Sequence, residues 1–71
     1  MANSLQVQLG KRIRRLRRQR GWTQIDLAVH LGLTRPHVTR IERGDYDVHL
    51  STLQTIARGL GVSMSRLLAR L

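Results

Sequence analysis

Arg35, His37, Thr39 and Arg40 lie within one short stretch and bring together two planar guanidinium forks, an imidazole, and a hydroxyl with a methyl group. That set suits the edges of DNA bases. Arginine reads guanine through two parallel hydrogen bonds, and a threonine methyl meets the methyl of thymine. Arg35 and Arg40 are the leading base readers on this basis, with His37 and Thr39 secondary. Gln24 follows Thr23 at a helix start, where unpaired backbone N–H groups and the helix dipole attract an anion, so its amide is placed to clamp a phosphate. Thr34, at the start of the next helix, joins the phosphate candidates. Arg43, Tyr46 and His49 flank the far end of that helix and extend the set, with Lys11 and Arg18 adding diffuse attraction. Tyr46 has an equal alternative as a loop residue packing on the helix ends, because one tyrosine is no stacking platform for bases.

Presenting these side chains requires two short helices and a tight turn. Ile25, Leu27, Ala28 and Leu31 recur at helical spacing, Gly32 breaks the pattern, and Val38 and Ile41 resume it. Gly32 suits a turn with positive φ, and Ala28 lets the second helix cross close over the first. Thr23 with Asp26 forms a capping-box pattern, Thr34 is a good cap, and Pro36 falls in a first turn where no intrahelical N–H is lost. Trp22 with Leu27, and Leu33 with Val38, have hydrophobic-staple spacing. A first helix from about Ser4 to Arg20 carries the stripe Leu5, Leu9, Ile13 and Leu16. After a loop over 44–50, Ser51 with Gln54 predicts the next helix start, whose buried face is Leu53, Ile56, Ala57 and Leu60. Val62-Ser63 opens a last short helix, with Leu67 stapled onto Val62. Five helices, no strand and one domain over residues 1–71 are expected.

Charge narrows the partner. Lys and Arg total 13 against 4 acidic residues, and the run from Lys11 to Arg20 contains no acid to offset its basic side chains. A solvated face normally mixes signs, so a polyanion, nucleic acid first, is the favoured partner. The chain has no Cys, and His30, His37 and His49 lack metal-ligand spacing, so neither a metal nor another cofactor is expected. Without a Cys nucleophile, a glycine-rich phosphate loop, or a Ser with a recognisable base and acid, the chain reads as a non-enzyme. Lacking a signal-peptide apolar run or a membrane-length segment, it is expected in the cytoplasm.

The blocks GKRIRRLRRQRGWTQIDLA, LGLTRPHVTRIERG and LSTLQTIARGLGVSMSRLL, in that order, resemble the lambda-type repressor and Cro (XRE) family of helix-turn-helix regulators, from about Leu9 to Leu68. The resemblance implies an all-α, compact five-helix lambda-repressor-like domain with a central helix-turn-helix at about 24–43. Its third helix, about 35–43, would lie in the major groove of double-stranded DNA. It further implies base contacts from Arg35, Pro36 and Arg40, and a phosphate clamp by Gln24. Pro36 departs from the family's usual polar residue and would read by apolar contact or not at all. Glu42, the only glutamate, is paired by the resemblance with Arg17 in a partly buried ion pair.

One module of this size offers few base contacts, so specificity calls for a homodimer on a palindromic operator with half-sites roughly 34 Å apart. The expected interface draws on Val62, Met64, Leu67, Leu68 and Leu71, the alternative being that Leu67 and Leu68 only close the monomer core. A phage-type repressor, a restriction-modification controller protein, or an antitoxin with a protein partner and its own operator all suit a short form of this family. Membrane binding by the basic first helix is weaker, because its apolar residues are needed in the core and no Trp or Phe lies in it to anchor a lipid surface.

Overall fold

Short polar side chains set most of the helix starts in the computed structural model, which describes residues 4–71. Its helices are α1 (Leu5–Gln19), α2 (Gln24–Leu31), α3 (Arg35–Arg43), α4 (Leu50–Leu60) and α5 (Met64–Leu68), with no strand among the described residues. Ser4 accepts from the backbone N–H of Val7 at 3.2 Å, and Ser63 from that of Arg66 at 3.0 Å. Thr23 and Asp26 form a reciprocal capping box, with bonds of 2.8 and 3.1 Å. Hydrogen bonding to Thr23, to its backbone N–H first and to its side chain second, holds the Asp26 carboxyl below its ordinary range. Thr34 caps α3 through the His37 N–H at 3.3 Å, and Gly32 closes α2 in the left-handed region at φ 68°.

The start of α4 differs from the Ser51–Gln54 expectation. His49 is the N-cap, without a side-chain cap bond, and Leu50 is already helical. Val48 and Leu53 both pack against the core from the positions before the cap and one turn after it. The two stand at staple spacing about the His49 cap, where no side-chain cap bond forms. Ser51 lies inside the first turn, where its carbonyl accepts from the Thr55 hydroxyl at 3.2 Å.

The core draws on every helix, and Ile13, Leu27, Val38, Ile56, Leu60 and Leu67 are almost completely enclosed. Helix α3 packs on α1 and α2, α4 on α2, and α5 on α1 and α4. Two residues expected to face inward do not. Ile25 is 58% exposed, because the buried face of α2 is Leu27, Ala28 and Leu31, and two residues before Leu27 is the opposite side of a helix. Leu5, at the first position of α1, is 63% exposed. Leu67 is correctly placed as a core residue and therefore drops out of the expected dimer surface.

A close approach governs the α1–α3 crossing. A Cβ on Gly10 would stand 2.7 Å from the Ile41 carbonyl oxygen, and it would also strike the Glu42 carbonyl. Both obstacles are backbone, so a methyl group can be accommodated only by separating the helices. Gly10→Ala should therefore destabilise the fold by about 1–3 kcal/mol despite its better helix propensity. Thermal unfolding followed by circular dichroism checks this, and a raised melting temperature would show that the crossing yields.

The arginine run of α1 is partly structural. Arg12 reaches across to the end of α5, donating from Nη1 to the Arg66 and Leu67 carbonyls at 2.9 and 3.3 Å and from Nη2 to Ala69 at 2.7 Å. A cation on terminal carbonyls satisfies groups the helix cannot bond itself. Arg20 donates to the Leu16 carbonyl at 2.7 Å.

Candidate nucleic-acid interface

Helix α3 has two unlike faces. Val38, Ile41 and Glu42 point inward, whereas Arg35, Pro36, Arg40 and Arg43 are exposed. The inner side is pinned by an ion pair: Arg17 donates from Nε to Glu42 Oε2 at 2.7 Å and from Nη2 to Oε1 at 3.0 Å, with Nη1 on the Trp22 carbonyl at 2.8 Å. The two side chains are only 9% and 3% exposed. A bidentate fork with its third nitrogen also bonded is the geometry that best offsets the desolvation of a buried pair.

The network continues toward the outer surface. Gln24 donates through Nε2 to Glu42 Oε1 at 3.1 Å, and Thr39 donates its hydroxyl to Gln24 Oε1 at 2.8 Å. Three helices are joined by one chain of bonds. Its polarity fixes the amide orientation, since a carboxylate can only accept. Gln24 keeps one amide proton beyond the bond to Glu42, available to an anion at the α2 start. The Thr39 hydroxyl proton is committed to Gln24, while its oxygen can still accept and its methyl makes no hydrogen bond.

His37 is partly buried. Its ring meets Tyr46 edge-on, with centroids 4.8 Å apart, and its Nε2 is buried without a hydrogen-bond partner among the described residues. Tyr46 also packs edge-on to His49 at 6.4 Å, and the Arg40 guanidinium lies 5.5 Å from the Tyr46 ring centroid. Tyr46 thus packs on the neighbouring helix ends with the Arg40 guanidinium near its ring. That contact crosses a loop and has no periodic signature in the sequence. Arg43 is exposed at the end of α3, Thr34 is engaged as a cap, and His49 is the exposed N-cap of α4. Lys11 and Arg18 are exposed on α1. Trp22 stacks on His30 with centroids 3.9 Å apart and covers the α1–α2 turn.

No group of His, Cys, Asp or Glu among the described residues is arranged to hold a metal, and no described helix is long and apolar enough to cross a membrane.

A capped α2, a left-handed glycine and a basic α3 locked to the core from behind define a helix-turn-helix module. The family HTH_3, helix-turn-helix, matches residues 13–67. The chain belongs to this family, the XRE type of helix-turn-helix. It is 40% identical over 57 residues to the immunity repressor protein of Bacillus phage phi105, covering 80% of this chain and 40% of that protein. The control protein C.MunI of Mycoplasma sp is 30% identical over 66 residues, which span 92% of this chain and 89% of the relative. Among solved structures, the restriction-modification controller protein C.AhdI from Aeromonas hydrophila superposes with a TM-score of 0.82 at 36% identity, over 86% of this chain and 92% of that one. The hypothetical transcription factor NHTF from Neisseria gives 0.86 at 35% identity, over 92% and 75%. The chain thus spans less than half the length of the phage repressor and 60% of the curated Neisseria factor.

Proposed function

We propose that this chain is a sequence-specific double-stranded DNA-binding transcription regulator that places α3 in the major groove. It acts as a repressor, in the manner of a phage-type repressor or a restriction-modification controller protein, in the cytoplasm and without catalysis of its own. The observation that carries this reading is the division of α3: its outer face is exposed and basic, while its inner face is held by the Arg17–Glu42–Gln24–Thr39 network. Arg35 and Arg40 read base edges, Pro36 and the Thr39 methyl supply apolar contact, and Gln24, Arg43 and the α2 start grip phosphates. A phage immunity repressor and restriction-modification controller proteins among the relatives support the same reading.

A homodimer supplies the second half-site. Its surface is formed by Leu68, 36% exposed, with the partly buried Met64, Leu71 and Val62, and Leu50 adds an apolar group that is 74% exposed. Leu50 and Met64 line one groove, while Leu68 and Leu71 line a second of about 160 Å³ beside Leu5.

Enrichment of sites from random duplex DNA tests the proposal. A palindrome with half-sites about one helical turn apart is the expected product. Repeating the selection with Arg40→Ala should relax the preference at one base pair of each half-site, a loss of about 1–3 kcal/mol of discrimination. An unchanged preferred sequence would reject the assigned reading residue, and no enrichment at all would shift the function to a partner-dependent module.

A further inference from the structure

Arg40 stands with Pro36 and Arg43 on the outward face of α3, and its guanidinium lies 5.5 Å from the centroid of the Tyr46 ring. That is within the reach of a cation–π contact. The ring is itself fixed, beginning with the backbone that delivers it. The Asp45 N–H bonds the Arg40 carbonyl at 3.0 Å and the Gly44 N–H bonds that of Ile41 at 3.1 Å, with Gly44 in the left-handed region at φ 79°. This closure folds the chain back at the end of α3, and Tyr46 follows it directly. His37 meets the ring edge-on with centroids 4.8 Å apart, His49 does so at 6.4 Å, and the side chain packs against the hydrophobic core.

Asp45 and Asp47, both exposed, flank Tyr46 in the loop, yet Arg40 forms an ion pair with neither. The difference matters to a base reader. A carboxylate would bind the guanidinium through the same N–H donors that guanine O6 and N7 require, whereas a ring attracts the cation by its quadrupole and needs none of them. An unrestrained arginine must also be ordered over several rotatable bonds when it meets a base, and ordering done beforehand is subtracted from that cost.

We propose that Tyr46 is a positioning residue for base reading. Its ring holds the Arg40 guanidinium in place with its donors free, and thereby sets how sharply the protein discriminates the base pair that Arg40 meets. This is distinct from a phosphate contact by Tyr46, which would act on affinity for every sequence alike. The proposal rests on α3 reading DNA through Arg40, and the two fail in different ways.

The test uses the full chain with two duplexes, the enriched site and the same site with the base pair relaxed by Arg40→Ala replaced in both half-sites. The ratio of the two dissociation constants is read, after a thermal melt shows each variant folded at the assay temperature. Tyr46→Leu removes the ring but keeps an apolar side chain, and should lower the ratio by about tenfold over the two half-sites, the effect of one exposed cation–π contact in each. Tyr46→Phe keeps the ring and should hold the ratio within about twofold of wild type. In an Arg40→Ala background, Tyr46→Leu should change the ratio no further, because nothing is left to position. Equal loss of affinity for both duplexes in Tyr46→Leu would overturn the proposal and reduce Tyr46 to packing or phosphate contact. A raised ratio would overturn it too, since the ring would then compete with DNA for Arg40. A fall in Tyr46→Phe as large as in Tyr46→Leu would reject the ring in favour of the hydroxyl. If Tyr46→Leu does not fold, nuclear magnetic resonance of the free wild type carries the test. Overhauser contacts should join the Arg40 side chain to the Tyr46 ring, and the Arg40 Nε–H should be more restricted than that of Arg43, which is exposed on the same face without a ring contact among the described residues. Absence of both would overturn the proposal. An unchanged preferred sequence in Arg40→Ala would instead remove Arg40 as a reader, and the role of Tyr46 with it.

Discussion

Glu42→Ala is expected to lower folding stability by about 3–5 kcal/mol, because it strands a buried guanidinium. Arg17 would keep its bond to the Trp22 carbonyl but lose both carboxylate oxygens, at a site where its side chain is only 9% exposed. Gln24 would lose its acceptor at the same time, loosening the link to Thr39. An exposed pair would be worth at most about 1 kcal/mol, so the magnitude discriminates between the two situations. In a domain of this size each kcal/mol moves the melting temperature by about 4–8 °C, so a fall of at least about 12 °C should be seen by circular dichroism. Total stabilities start at only about 5 kcal/mol, and the variant could be largely unfolded at room temperature. An unchanged melting curve would mean that the pair contributes nothing to holding α3 on α1.

Operator affinity should fall by about a thousandfold or more between 50 and 200 mM salt, given about 6 to 10 neutralised phosphates per dimer. The formal charge of +9 is a poor guide to this number. Arg12, Arg17 and Arg20 are held by carbonyls or a carboxylate within the protein, so the cations left for phosphates in each copy of the proposed dimer are exposed ones such as Arg43, Lys11 and Arg18. Fluorescence anisotropy titrations over that salt range give the slope directly. A slope of about −5 to −9 in log–log form is expected, and a flat line would be incompatible with phosphate contact.

The features legible in the sequence were those whose cause is local. Thr23 with Asp26, Thr34 with Pro36, and Gly32 each act within a few residues, and each cap or turn forms where its pattern lies. Periodicity alone was less discriminating. It placed Leu9, Ile13 and Leu16 inside but also admitted Leu5 and Ile25, because an apolar residue at helical spacing does not reveal whether another element covers it. Ser51 and Gln54 match a capping box, yet α4 begins at Leu50, between Val48 and Leu53, which both pack on the core. The Arg17–Glu42 pair was supplied by family likeness rather than by spacing. The Arg40–Tyr46 contact and the bonds from Arg12 to α5 join residues across loops or across nearly the whole chain, and neither follows from local patterning.

The cap on α5 also bears on how the chain acquires its shape during synthesis. Five residues cannot sustain a helix in water, so α5 exists only while Leu67 is buried and its last carbonyls are held by Arg12. Those bonds span 54 to 57 residues, from the second turn of the first helix to the end of the last. A nascent chain can form the capped α2–α3 turn early, but it lacks the final side of its core until Arg66 to Ala69 have been made. Completion of the helix-turn-helix module's core therefore waits on α5, which is also the element expected to open first when the folded protein fluctuates.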